Sequence, residues 1–104
     1  MSSWTRVADF DHCPAGASEH VAGGRIVALF RIDDELFALD GVCPHQGGPL
    51  GQGQLEPAGD ACFVTCPWHG WQFNVRDGCH RTSPLQHVSL PVKIEDGAVF
   101  VELD

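Results

Sequence analysis

The chain has 104 residues, 43% of them hydrophobic and 19% charged, a composition that suits a folded globular protein and excludes a disordered one. Six Lys and Arg stand against 14 Asp and Glu, a formal charge of −8. That balance excludes nucleic acid and anionic membrane surfaces as natural partners and favours a partner with a basic docking patch. No apolar run reaches the length of a signal peptide or a membrane span. The expectation is a soluble, cytoplasmic, monomeric protein of one domain, residues 1–104.

In chain order, strand signals dominate. RIVALFRI (25–32) is apolar and rich in β-branched residues, and the turn Asp33-Asp34-Glu35 leads to a second apolar run, LFALD (36–40). The pair predicts a hairpin. The stretch 43–60, CPHQGGPLGQGQLEPAGD, is crowded with glycine and proline and reads as a long loop. A loop of that length in so small a chain is usually functional. CFVT (62–65) predicts a short strand running into CPWHGW (66–71). WQFNV (71–75) leaves it and meets Asp77-Gly78, a dipeptide suited to positive φ. In HVSLPVKI (87–94), Val88, Leu90, Val92 and Ile94 alternate onto one face. Glu95-Asp96-Gly97 then turns the chain into AVFVEL (98–103). Neither an internal repeat nor a sustained helical period is evident. The predicted fold is all-β, with short antiparallel strands in two small packed sheets or a partly open barrel.

Cys43-Pro44-His45 and Cys66-Pro67-Trp68-His69 place C-x-H and C-x-x-H boxes on two loops, with 20 residues between them. Each loop supplies one thiolate and one imidazole, so together they make a four-ligand site. Pro44 and Pro67 stiffen the chain after each cysteine. Gly47, Gly48 and Gly70 allow positive φ and close backbone approach beside each histidine. Structural zinc also takes two cysteines and two histidines, though zinc fingers pair like ligands on one element. A cysteine–histidine catalytic dyad would leave the second pair unexplained.

The run C-P-H-Q-G-G-P-L-G followed by C-P-W-H-G-W-Q-F resembles the two cluster-binding loops of Rieske [2Fe–2S] proteins, and residues 30–104 resemble the small ferredoxins of that family. The resemblance implies a Rieske-like fold of small antiparallel sheets with both cluster-binding loops at one end. It implies that Cys43 and Cys66 bind one iron and that His45 and His69 bind the other through Nδ1. Two ferric ions, two sulfides and two thiolates then sum to zero charge, which raises the potential above that of an all-cysteine cluster. The extra disulfide of high-potential relatives would fall at Gly48 and Trp68, so it is absent. Their hydroxyl donors to sulfur would fall at Trp71 and Phe73, which carry none. A low-potential cluster follows.

No substrate pocket, nucleotide loop or acid/base pair is legible, so the expectation is an electron carrier and not a catalyst. The family's ferredoxins pass one electron from a flavin reductase to the terminal component of an oxygenase system. Two alternatives are the small subunit of an NAD(P)H-dependent nitrite reductase and a zinc-stabilised interaction module. Partners are expected to dock around Gln46, Pro49, Pro67 and Trp68, with a rate that falls as salt rises. Of the remaining residues, Cys62 and Trp4 are read as core, and Cys13 and Cys79 as free thiols in turns. Trp71 is read as core, Trp68 as core or as a residue that shields the cluster or touches a partner, and His12, His20, His80 and His87 as solvated or locally hydrogen-bonded.

Overall fold

A computed structural model of the chain describes residues 3–43, 47–68 and 70–103. Ten strands follow in order: β1 (Ser3–Asp9), β2 (Gly16–Ala22), β3 (Arg25–Ile32), β4 (Glu35–Asp40), β5 (Gln54–Ala58), β6 (Ala61–Thr65), β7 (Gln72–Asn74), β8 (Ser89–Leu90), β9 (Val92–Glu95) and β10 (Ala98–Leu103). Single 3₁₀ turns lie at Phe10–His12 and Leu50–Gln52. All pairing is antiparallel, in three sheets ordered β1-β10-β9, β2-β3-β4-β8 and β5-β6-β7.

The middle sheet is buried on both faces. Along β3, Ala28 and Phe30 pack with Cys62, Val64 and Phe73 of the third sheet. Their neighbours Val27 and Leu29 pack with Val99, Val101 and Leu103 of the first. Successive side chains of a strand point to opposite faces, so a strand covered on both sides needs an unbroken apolar run. RIVALFRI is such a run. Two sheets would have buried only alternate residues, so the expected pair of sheets is corrected to three.

The two predicted hairpins form as the turn residues dictate. Asp33 adopts φ +56°, which a short polar side chain tolerates, and Ile32 faces Glu35 across the turn. Asp96 and Gly97 both have positive φ, and Glu95 faces Ala98, the geometry of a tight two-residue hairpin.

Other expectations are corrected. The stretch 43–60 is a loop only in its first half, because Gln54–Ala58 is β5, paired to β6. Pro57 is tolerated there because β5 is an edge strand. HVSLPVKI is two strands in two sheets: Pro91, without an N–H, separates β8 on β4 from β9 on β10. Val88 and Ile94 are therefore exposed, while Leu90 is buried. β1 and β2 precede the first strand that the sequence pattern predicts; β2, GASEHVA, lies mostly half-exposed and mixes small and polar residues. Trp4 lies on the surface with Lys93 Nζ 4.6 Å from its ring centroid, and is not core. Cys13, read as a turn thiol, is buried behind the first 3₁₀ turn, where burial pushes its thiol pKa up. Cys62 is core as expected, and burial raises its pKa too.

Candidate metal centre

β4 delivers the first loop and β6 the second. As β4 ends, the Gly41 N–H donates to Ile26 O at 2.9 Å, and the Leu50 N–H returns to Gly41 O at 3.1 Å. The Asp40 carboxylate accepts the Val42 N–H at 3.1 Å and faces Arg25 at 3.3 Å. The stem is held from behind by His87, buried, whose Nε2–H donates to Asp40 O at 2.8 Å.

Both loops close in the same way. The Cys43 N–H donates to Gly48 O at 2.8 Å, and the Gly47 N–H donates to Cys43 O at 2.9 Å. In the second loop, the Cys66 N–H donates to Trp71 O at 2.8 Å, and the Gly70 N–H donates to Cys66 O at 3.0 Å. In each, the cysteine pairs with the fifth residue after it and receives from the fourth. The fourth residue has φ +78° in Gly47 and +75° in Gly70, a conformation that costs other residues roughly 1 kcal/mol or more. The shared pattern C-P-x-x-G, at 43–47 and 66–70, is a short internal repeat that the sequence reading missed. It was the signal for this geometry.

The two loops also touch. A Cβ built on Gly48 would lie 2.5 Å from Cys66 Sγ and 3.2 Å from Trp68 Cγ, so only glycine lets the loops approach this closely. Cys43 and Cys66 are each 2% exposed. Two thiols from separate strands thus lie buried where their loops meet, as a shared soft metal centre requires. His45 and His69, with Pro44 and Gln46, lie outside the described residues. Among the described residues, no three metal-binding side chains gather.

Behind the second loop stands a stack of rings. Trp71 meets His80 edge-on at 4.9 Å, His80 meets Phe73 at 5.2 Å, and Phe73 meets His87 at 5.5 Å. Trp71 packs at the edge of the core and Phe73 is buried in it, so the two positions without hydroxyls are filled by packed rings. Trp68, in contrast, is 58% exposed, which places it on the surface and not in the core. His80 Nδ1 accepts the Thr82 N–H at 3.3 Å and lies 3.0 Å from Ser83 Oγ. His20 lies 2.7 Å from Ser18 Oγ, and His12 lies 3.3 Å from Asp9. These four histidines have local partners, as expected. Cys79 is exposed; its N–H is bound by Asp77, whose carboxylate also raises the thiol pKa.

The chain matches the family described as Rieske [2Fe-2S] domain over residues 3–94. It is 38% identical to the anthranilate 1,2-dioxygenase ferredoxin subunit of Burkholderia cepacia, over 80% of this chain and 75% of that protein. It also resembles a crystal structure assigned to an NADH-dependent nitrite reductase small subunit from Mycobacterium tuberculosis: 25% identity, TM-score 0.90, covering 100% of this chain and 97% of that one. A complex of reduced oxygenase and oxidized ferredoxin in carbazole 1,9a-dioxygenase contains a chain 29% identical, with TM-score 0.77, covering 94% of this chain and 91% of that one.

Proposed function

Because the chain belongs to the Rieske [2Fe–2S] domain family, whose cofactor is a Rieske-type [2Fe–2S] cluster, we propose that it is a one-electron carrier of an oxygenase system. In this reading Cys43 and Cys66 hold one iron, His45 and His69 hold the other, and residues 1–104 act as one domain. The cluster supplies a reversible one-electron couple. The protein's part is to bury the thiols, to fix the two loops on rigid strands, and to keep an uncharged surface over the exit. Electrons enter from a flavin reductase and leave to a terminal oxygenase. The chain is a carrier and not itself an enzyme, cytoplasmic and monomeric between its partners.

One observation carries the reading: two loops with the same closure bring buried Cys43 and Cys66 together through Gly48. The ferredoxin relative and the oxygenase–ferredoxin complex support the choice of partner. The test is anaerobic purification followed by visible and electron-paramagnetic-resonance spectra, for the wild type and for His45→Ala and His69→Ala. A brown wild type and colourless or altered histidine variants are expected. An unchanged spectrum in His69→Ala excludes this ligand set. A colourless wild type containing zinc supports the interaction module instead.

The likeness to a nitrite reductase small subunit favours a second reading, a stable subunit of such an enzyme. Size-exclusion chromatography from the native cell separates the two. A carrier elutes alone, and a subunit elutes with a large partner.

A further inference from the structure

Most of the unpaired acids of this chain sit at one pole, and the cluster loops sit at the other. Each of the six basic side chains lies against a carboxylate: Arg6 with Asp9, Arg25 with Asp40, Arg31 with Asp34, Arg76 with Glu35, Arg81 with Glu56 and Lys93 with Glu95. The net charge therefore resides in the remaining acids. Five of these, Asp11, Asp33, Asp60, Asp77 and Asp96, stand on turns.

The topology gathers those turns. β4 and β6 both end at the cluster loops, which meet at Gly48 and Cys66, so both begin at the opposite end. Asp33 and Asp60 directly precede those strand starts. Arg76, beside Asp77, reaches Glu35 at the start of β4. Arg31, two residues before Asp33, donates to Phe10 O at 3.2 Å, and the Phe10 N–H donates to Gly97 O at 2.9 Å. Asp11 and Asp96 therefore join the same pole. The loop end has the opposite character. Residues 41–55 and 61–75 contain no Asp, Glu, Lys or Arg. Trp68, Pro67, Val42 and Gly47 are exposed there. The pairs Arg25–Asp40 and Arg81–Glu56 flank this face and cancel, and among the described residues Glu19, beside Gly51, and Glu102, near the end of β10, are the acids outside the acidic pole that have no ion pair.

Resting on the carrier reading, we infer that the docking face, built on two loops without a charged side chain, carries little charge and fits a redox protein whose own docking site is apolar and lacks a basic cluster. Six residues of strand separate the poles by roughly 20 Å. That is at least two Debye lengths at physiological salt, about 8 Å each, so the acids are screened from a partner at the loops. A basic patch would attract the acidic turns instead and hold the loops away. Such a partner differs from the basic docking partner expected from the total charge.

Stopped-flow oxidation of the reduced protein by two small probes tests this. Hexaammineruthenium(III) is a cation and ferricyanide an anion, and each takes one electron. Raising ionic strength from about 100 to 300 mM, a range in which the Debye length stays at or below about 10 Å, should change either rate less than about threefold. The triple variant Asp33→Asn, Asp60→Asn, Asp77→Asn should keep that flat response, and Gln54→Glu, on the exposed rim, should steepen it. A change of more than about threefold in the wild type, or a response that weakens in the triple variant, overturns the inference. A colourless protein reacting with neither probe sinks the carrier reading alone. The charge at the loops is then read from Trp68 fluorescence, as the difference from Trp68→Phe. The iodide-to-caesium quenching ratio is expected to match that of free N-acetyltryptophanamide, and caesium quenching about threefold stronger than that reference ratio overturns the inference.

Discussion

Gly48 and Cys66 stand so close that a single added methyl group at Gly48 would come within 2.5 Å of the Cys66 sulfur. Gly48 therefore sets the spacing of the two loops. Its φ is not positive, so the constraint is steric and not conformational. We expect Gly48→Ala to push the loops apart, at a cost typical of overpacking, about 1–3 kcal/mol, and to speed bleaching of the visible spectrum. Gly47→Ala is the contrast. Its Cβ meets nothing nearer than Val42 at 3.8 Å, so only the strain of φ +78° remains, about 1–2 kcal/mol. Thermal unfolding and bleaching rates measured on both variants check the distinction; equal bleaching would remove the steric role of Gly48.

His87 ties the stem of the first loop to the core from a distance in sequence. Its Nε2–H donates to Asp40 O, and its ring lies against Phe73. We expect His87→Leu to fill the site but strand the carbonyl, a loss of about 1–3 kcal/mol. Denaturant unfolding measures the loss. Within 0.5 kcal/mol of wild type, the hydrogen bond contributes nothing.

Among Cys13, Cys62 and Cys79, only Cys79 is exposed. A maleimide should label Cys79 in the native protein and leave Cys13 and Cys62 unmodified until unfolding. The Asp77 carboxylate raises the Cys79 pKa, which keeps the thiolate scarce and the reaction slower than with a free thiol at pH 7. Cys79→Ser and Cys62→Ala should both keep the visible spectrum, and loss of colour in either would add a ligand to the set.

Partial burial holds the His20 pKa below its usual value. The unfolded chain then binds the proton more readily than the folded one. The stability from neutral His20 is fully present above the unfolded pKa, about 6.5, and is lost as pH falls through the lower folded value. We expect melting temperature to fall between pH 7 and pH 5, and His20→Gln to reduce that fall. An identical pH profile in the variant would assign the acid sensitivity elsewhere.

Trp71 and Phe73 are packed rings without a hydroxyl, and in the carrier reading they stand where hydroxyl donors would raise the potential. Within the range of roughly −150 to +300 mV open to Rieske centres, the midpoint should lie toward the negative end. Protein-film voltammetry giving a midpoint above about +100 mV would show that other donors reach the sulfurs.

The sequence by itself determined what is local. Two C-P-x-x-G segments encode two closed loops, because each hydrogen bond joins residues four or five apart. Asp33-Asp34 and Asp96-Gly97 encode hairpins through their tolerance of positive φ. The boxes Cys43–His45 and Cys66–His69 named their cofactor family for the same reason, since spacing within a loop is fixed by chain geometry. Tertiary structure alone decided the rest. Pro91 divides one alternating run between two sheets, because it has no N–H to donate to either ladder. Burial on both faces of β3 required a third sheet, and it drew in Cys13, while Trp4 stayed at the surface under Lys93. The contact of Gly48 with Cys66 joins residues 18 apart in sequence, and neither loop's local pattern specifies it. The separation of charge from the cluster loops has the same origin. Antiparallel strands carry alternate turns to opposite ends, so acids that are spread along the chain gather mostly on the turns of one end.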